Sequence, residues 1–244
     1  MAACQGAWET LRVEREQATF GGDIAASLSA WTIAPALPLL TMAIGVLYEL
    51  PVLVGPAAVL ISLPALVVLA GWVGTQRVWY LRIFRGNTLE RDLRWPMTWA
   101  FTGRYLVLGL IGSIPFTLVI VPILSTVQST TSRALLTVPL VFVADFVLTF
   151  VTSALAFSTR HVFEALSIGW RTLWDGWPAT APYALVAPLV LIGVGQTLGR
   201  TAGGDASFVV TLLGLLVALA CKGATSAYYL RAHAVGDYGA ALVE

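Results

Sequence analysis

The run TQRVWYLRIFRGNTLERDLRWPMTWAFTGR at residues 75–104 decides the predicted fold. Its six arginines alternate with tryptophan, tyrosine and phenylalanine, and long apolar stretches lie on both sides of it. So many charges exclude a membrane span, whereas basic and aromatic residues beside a membrane are typical of a helix at the cytoplasmic surface. The run therefore predicts an interfacial helix over 76–94 that faces anionic lipid headgroups. The candidate headgroup contacts are Arg82, Arg85, Arg91 and Arg94.

The composition of the whole chain excludes an ordinary soluble domain. Hydrophobic residues make up 58% of the 244 residues and charged residues 11%, whereas soluble domains carry about 25% charged residues. The mean hydropathy of +0.83 agrees, because helices that face lipid need no polar side. Six spans of about 20 residues occupy roughly half of this length. The remainder is long enough for loops and surface helices but not for a soluble catalytic domain.

Six apolar stretches predict six transmembrane helices. Eleven of the 14 basic residues lie at the two chain ends or in the second and fourth gaps between these stretches, and positive charge is retained on the cytoplasmic side. The fold class is therefore an all-α polytopic membrane protein with both termini in the cytoplasm and further interfacial amphipathic helices over 5–20 and 160–175. A cytoplasmic interfacial segment (1–23) and a cytoplasmic tail (232–244) flank the transmembrane domain (24–231). The predicted spans are about 24–47, 52–73, 105–124, 134–157, 182–198 and 207–229.

Residue usage indicates the source and the location. Thirteen arginines stand against one lysine, and Ala, Val and Gly are abundant, a bias that favours a GC-rich prokaryotic genome. The predicted location is the prokaryotic inner membrane, crossed several times. The apolar spans on both sides of the basic run make lipid its expected partner, and nucleic acid is not expected there.

Asp145 is the one acidic residue deep in a predicted span. A carboxylate near the bilayer centre costs about 2.5 to 3.5 kcal/mol on insertion scales, so it is expected to face the bundle interior and to have a partner. Thr149 and Thr152 follow on the same side of the helix, and Lys222 is the one basic residue inside a span. Three interpretations stay open: a proton- or substrate-linked carboxylate, a tie between helices through hydroxyls, and an ion pair with Lys222.

No catalytic constellation, cofactor site or metal site is predicted. His161 and His233 lie far apart, and neither has a second His or Cys at a ligand spacing. Cys4 is predicted in the cytoplasm and Cys221 within a span, so a disulfide is not expected. The sequence has no HExxH, paired-carboxylate, Gly-x-Ser-x-Gly or Walker motif. The protein is therefore predicted not to be an enzyme.

The segment EALSIGWRTL at 164–173, followed by Gly176 and Trp177, resembles a signature of the polytopic membrane domains found with glycerophosphodiester phosphodiesterases and of related stand-alone bacterial membrane proteins. In that family a leucine usually follows the Trp-Arg pair directly, whereas Thr172 intervenes here and the glycine is displaced by one position. The resemblance implies a membrane domain without the hydrolase domain.

The same segment is also similar to the cytoplasmic Glu-Ala-Ala loop of ATP-driven importer permeases, which docks on a nucleotide-binding subunit. In those permeases the glycine comes six residues after the glutamate, whereas Gly169 comes five after Glu164, and Leu166 replaces the second alanine. The predicted function is an accessory or lipid-interacting membrane domain whose partners are membrane lipids with anionic headgroups. The alternative is a permease subunit with a membrane or ATPase partner subunit.

Overall fold

The computed structural model describes residues 19–44, 68, 71–72, 75–77, 79–80, 83–84, 94–115, 118, 121–127, 130–190 and 205–233. These residues form helices and short connections with no strand among them, so the all-helical fold class is confirmed for the described part of the chain. The predicted helix over 5–20 and the predicted span over 52–73 lie almost entirely outside it. The helices are α1 (Phe20–Ile33), α2 (Ala36–Ile44), α3 (Arg94–Pro115), α4 (Val121–Thr126), α5 (Thr130–Phe157), α6 (Val162–Asp175), α7 (Ala181–Val190) and α8 (Asp205–Ala232).

A proline divides the first predicted span. Thr19 caps α1 by accepting a hydrogen bond from the Gly22 amide over 3.3 Å, which satisfies an otherwise unpaired donor of the first turn. The helix ends at Ile33, because the residue before Pro35 is driven away from the helical conformation. α2 then begins at 94° to α1. The apolar stretch is therefore two helices joined at a sharp bend.

α1 packs antiparallel along α8. Asp23 near the start of α1 binds Arg231 in the last turn of α8, and Ser27 lies against Gly223, about two turns earlier in α8. A glycine is needed at 223, because a Cβ there would come within 2.0 Å of the Ser27 hydroxyl oxygen. The first and last described helices therefore form one antiparallel pair.

α6 lies against the second half of α5. Gly169 sits so close to Val151 that a Cβ on it would be 2.6 Å from the Val151 amide nitrogen, so the two backbones can approach this closely only at a glycine. The helix lies within 160–175, where the sequence predicts one. Its buried side consists of Val162, Ala165, Gly169, Thr172 and Leu173.

One end of the bundle collects the start of α1, the end of α5, the start of α7 and the end of α8. The Tyr183 hydroxyl donates to Asp23 over 2.5 Å, and the Ser158 and Tyr229 hydroxyls lie 2.6 Å apart. The rings of Tyr183 and Tyr228 have their centroids 4.8 Å apart. These four helix ends are the ones that the predicted topology places in the cytoplasm, and we name this side of the bundle the inner end.

One described helix is long and apolar enough to cross a membrane, judged by length and composition: Leu212–Ala232, the greater part of α8. The bent pair of α1 and α2 adds a second if the two helices make one span. Shorter apolar helical segments cover Trp99–Ile111, Phe142–Phe157 and Ala181–Val190, which overlap the third, fourth and fifth predicted spans. The described helices are thus consistent with membrane association.

The described residues at the start of the basic and aromatic run differ from the prediction. Gln76 and Arg77 are each 3% exposed and Tyr80 is 0% exposed, so these side chains lie inside the bundle. Part of the cost of burial is offset by hydrogen bonds, such as that of Gln76 Nε2 to Thr41 and that of Ser27 to the Tyr80 hydroxyl, although Gln76 Oε1 and Arg77 Nε are buried without a partner in the described part of the chain. These residues are helical, as predicted, but the predicted interfacial position of the helix over 76–94 is wrong at its beginning.

Candidate functional site

Arg77 is the centre of a polar cluster inside the bundle. Its Nη1 donates to the Lys222 carbonyl oxygen over 2.9 Å and to the Ser226 hydroxyl over 2.6 Å. Its Nη2 donates to the Thr152 hydroxyl over 2.8 Å. One side chain thus bonds to both α5 and α8. The Arg77 cluster comprises Arg77, Tyr105, Asp145, Thr149, Thr152, Lys222 and Ser226.

The charge of Arg77 has no counter-ion at hydrogen-bond distance among the described residues. The three acceptors of its guanidinium are neutral, and its buried Nε has no hydrogen-bond partner. A buried charge is costly unless it is paired, and neutral acceptors offset this cost in part. They leave the positive charge itself uncompensated.

Lys222 brings a second positive charge to the Arg77 cluster. Its ammonium lies within electrostatic range of both the Arg77 guanidinium and the Asp145 carboxylate, and its side chain is half-buried. The hydrogen bonds found at Lys222 in the described part of the chain use its carbonyl oxygen. The cluster therefore holds two cations and one carboxylate.

Asp145 lies at the outer edge of the Arg77 cluster. The sequence predicts that its side chain faces the bundle interior, but the side chain is exposed. The reason is uneven cover along α5, which is buried near Val151 beneath α6 but exposed at 143–145. The salt bridge found among the described residues joins Asp23 and Arg231. Asp145 and Lys222, which both lie in the described part of the chain, therefore form no salt bridge, although their charges interact electrostatically.

The two predicted threonines use their hydroxyls within α5. Thr149 donates to the Asp145 carbonyl oxygen over 2.7 Å, and Thr152 donates to the Thr149 carbonyl oxygen over 3.2 Å. Neither bond reaches the Asp145 carboxylate, so these hydroxyls do not tie it to another helix. Thr152 has a further role that the sequence does not indicate, because it accepts the hydrogen bond from Arg77.

The four predicted headgroup contacts are outside the described side chains. Arg82, Arg85 and Arg91 lie in segments that the structure does not describe, and of Arg94 it gives only the position at the start of α3. Their role stays a prediction.

A neutral polar network adjoins the Arg77 cluster. The Tyr80 hydroxyl accepts from the Ser27 hydroxyl over 3.1 Å and from Trp31 Nε1 over 3.0 Å, and it donates to the Leu219 carbonyl oxygen over 3.1 Å. These bonds use the hydroxyl fully and join α1 to α8. The network carries no net charge, and we assign it to packing.

An aromatic stripe consists of Phe163, Trp170 and Trp174 on the outward side of α6 and of Trp177 in the turn that follows the helix. These side chains are 72%, 48%, 45% and 42% exposed, in that order. The ring centroids of Trp170 and Trp174 are 5.5 Å apart, and so are those of Trp174 and Trp177. The segment that resembles known membrane domains thus presents large apolar rings to the surroundings.

A buried ion pair closes the inner end. Arg231 donates to both carboxylate oxygens of Asp23 over 2.9 Å, and Tyr183 donates to the same carboxylate. Asp23 is 2% exposed, and this two-pronged geometry is the strongest form of arginine–carboxylate pairing. The carboxylate is fully used by these partners, so the pair holds helices together and leaves little capacity for a ligand.

The described residues contain no group of three or more His, Cys, Asp or Glu side chains that could hold a metal ion. His161 is exposed before α6, whereas His233 Nε2 lies 2.9 Å from the Thr172 hydroxyl. No protein-family model, curated protein or solved structure matches this chain. The resemblance to known membrane domains therefore rests on residues 164–177.

Proposed function

We propose that this chain is a non-enzymatic, lipid-interacting protein that crosses the prokaryotic inner membrane six times, with both termini in the cytoplasm. Five of the six predicted spans overlap apolar helices, counting the bent pair of α1 and α2 as one. The inner end supports the alternation of direction, because α1 and α7 begin where α5 and α8 end. The excess of arginine in the predicted cytoplasmic gaps supports the orientation.

The observation that carries the lipid-interacting role is the division of α6 into three sides. One side is buried on α5, the aromatic stripe lies next to it, and a charged side follows, each covering roughly a third of the circumference at 100° per residue. The exposed charged residues are Glu164, Arg171 and Asp175. A helix at a membrane surface needs this order, since aromatic rings occupy the interface while charges face water.

Native mass spectrometry of the gently solubilised full-length chain tests the proposal. We expect anionic lipid to remain bound and no ATPase subunit to accompany the protein. A complex with a partner subunit and no retained lipid would contradict the lipid-interacting role.

Substitution of the aromatic stripe makes the test specific. The double variant Trp170→Ser, Trp174→Ser removes two rings that are 48% and 45% exposed and lie outside the buried side of α6, so we expect the fold to persist and the lipid occupancy to fall. Leu213→Ser is the control, because Leu213 is 56% exposed on α8, which does not carry the stripe. Equal lipid occupancy in the double variant and the control would rule out a role for the stripe.

The basic run gives a second, electrostatic test. Each Lys or Arg near an anionic surface contributes about 1 kcal/mol, so replacing Arg82, Arg85, Arg91 and Arg94 with glutamine should weaken the binding of anionic lipid to the solubilised protein by up to about 4 kcal/mol. Copurification of zwitterionic lipid should stay the same. Unchanged copurification of anionic lipid would mean that these arginines serve topology and not lipid contact.

A permease subunit is the second candidate, and the Arg77 cluster favours it. Lys222 lies ten residues before the end of α8, which is about 15 Å along the helix and near the middle of a bilayer core of about 30 Å. Ionisable residues at such depth mark pathways for substrates or ions in many membrane proteins. An ATPase subunit bound in the native spectrum would favour this candidate.

A further inference from the structure

We infer that the Arg77 cluster binds an anionic group, a phosphate or a carboxylate, inside the bundle. The proposed function concerns lipid at the outer surface of the protein. This site lies in the interior, so it would stand even if the surface contact failed.

The first observation is the charge balance of the cluster. Arg77 and Lys222 carry two positive charges, and Asp145 carries one negative charge. The buried carboxylate of Asp23 is taken by Arg231 at the inner end. Among the described residues one positive charge is thus left over, and it lies on a buried or half-buried side chain, so an anion would offset its desolvation cost.

The second observation is the hydrogen-bonding capacity that Arg77 keeps in reserve. A guanidinium has five N–H donors, and three of them are used by Lys222, Ser226 and Thr152. The buried Nε is without a partner. The three bonds that are made fix the guanidinium in place, so the remaining donors are already oriented. A fixed guanidinium beside an ammonium is a favourable arrangement for binding the oxygens of a phosphate or carboxylate.

The third observation is the gradient of exposure across the cluster. Asp145 is exposed, Lys222 is half-buried and Arg77 is buried, so the carboxylate is the most accessible charge of the cluster and the guanidinium the least accessible. Tyr105 on α3 lies within electrostatic range of both Arg77 and Asp145 and borders the same region. An anion that enters past α5 would be repelled by Asp145 and held by the two cations. Asp145 is therefore expected to weaken anion binding.

Variants of Lys222 and Asp145 should therefore change the affinity for an anion in opposite directions, which a purely structural role of these residues would not produce. The full-length protein in detergent is titrated with inorganic phosphate at constant ionic strength, and the apparent Kd is read from the thermal shift. Lys222→Met should weaken binding about tenfold, the value of one charged hydrogen bond. Asp145→Asn should tighten binding roughly threefold to tenfold, because a nearby like charge is removed. Arg171→Gln, an exposed arginine on α6, should leave the Kd unchanged.

A second arm distinguishes a free anion from a lipid headgroup. The same variants are incorporated into vesicles of phosphatidylcholine with or without phosphatidylglycerol, and retained lipid is measured by native mass spectrometry. Phosphatidylglycerol that is lost in Lys222→Met and enriched in Asp145→Asn, without a response to phosphate, assigns the site to a lipid headgroup. A response to phosphate assigns it to a soluble anion.

The inference is overturned if both probes bind folded Asp145→Asn as they bind the original protein. That variant decides the matter even if Lys222→Met does not fold, because Asp145 is exposed and its replacement by an amide is expected to be tolerated. Weakening by Arg171→Gln as large as the tightening by Asp145→Asn would also overturn it, since binding would then follow the net charge of the protein and not the position of the charge.

Discussion

Single residues in this bundle carry buried charge in two different ways. Asp23 and Arg231 form a matched pair in which each charge compensates the other. Arg77 is held by two hydroxyls and a carbonyl, which accept its hydrogen bonds but do not neutralise it. The pair is therefore suited to holding helices together, whereas Arg77 keeps a charge available for a ligand.

The Asp23–Arg231 pair predicts a measurable coupling. Asp23→Asn should lower the free energy of unfolding by about 2 to 4 kcal/mol, below the largest values for buried pairs because the Arg231 side chain is 24% exposed. Arg231→Gln should lower the free energy of unfolding much less in the Asp23→Asn background than in the original protein, since Arg231 has already lost its partner there. Thermal unfolding of the two single variants and the double variant checks this. Strictly additive losses would show that the pair contributes nothing, and exposed Asp175→Asn is the control.

His233 predicts how stability changes with pH. Partial desolvation lowers the pKa of His233 below its usual 6.5, because one side of this otherwise exposed ring packs on Tyr229 with centroids 4.3 Å apart. The unfolded chain then takes up the proton first as the pH falls, so stability should be complete above pH 6.5 and decline as the pH falls below it. His233→Gln should reduce the loss of thermal stability between about pH 7.5 and 5.5, relative to a His161→Gln control. An unchanged loss would contradict this assignment.

A charged residue can be recognised from the sequence as a candidate for burial only if its neighbours in the chain are apolar. Asp145 and Lys222 are conspicuous because each stands as a charge in an apolar run. Arg77 is missed, because it is one of six arginines in 75–104 and its partners lie 75 to 149 residues away. No local pattern distinguishes a buried arginine from exposed ones in such a run.

Among the elements, α6 shows what helical periodicity predicts and what it does not. The spacing of Val162, Leu166, Trp170 and Leu173 or Trp174 by three to four positions predicts the helix correctly. The buried side is built around the small residues Ala165 and Gly169, because these let α6 approach α5 closely. The side of α6 that is buried is decided by how closely its backbone can approach that of α5. A hydropathy pattern carries no information about this distance.

The contact of α5 with α6 predicts the effect of one added methyl group. Gly169→Ala places a Cβ about 2.6 Å from the Val151 backbone and should destabilise the protein by about 1 to 3 kcal/mol. Gly103→Ala on α3 is the matched control, since no atom lies within 4 Å of its Cβ position. That change should stabilise the helix by about 0.5 to 1 kcal/mol. Similar thermal shifts in the two variants would mean that α6 is not pressed against α5.

For the whole molecule, composition predicts the all-helical class because long apolar runs must satisfy their own backbone hydrogen bonds in lipid. Pro35 and Pro38 predict a kink in the first span, and the structure has a bend there, but its size of 94° between α1 and α2 is not contained in the sequence pattern. The packing of α1 on α8 is equally hidden, because it joins residues 208 positions apart.

The proposed topology predicts which positions are accessible from each side of the membrane. In a background where Cys4 and Cys221 are replaced by serine and alanine, a single cysteine at Asn87 or Asp175 should be labelled from the cytoplasm. One at Gln128 or Gly204 should be labelled from outside. Membrane-impermeant thiol reagents applied to intact cells and to inverted vesicles provide the measurement. Labelling of Asn87 in intact cells would reverse the proposed orientation.

The bond between Asp23 and Arg231 also sets an order of events during biosynthesis. A ribosome that adds about 5 to 20 residues per second needs about 10 to 40 seconds to make the 208 residues that separate the two partners. Throughout that interval the carboxylate at the start of α1 lacks its partner and must remain in water or among headgroups. α1 therefore reaches its buried position only after α8 has been translated, so this part of the bundle assembles late, once both helices of the pair have left the ribosome.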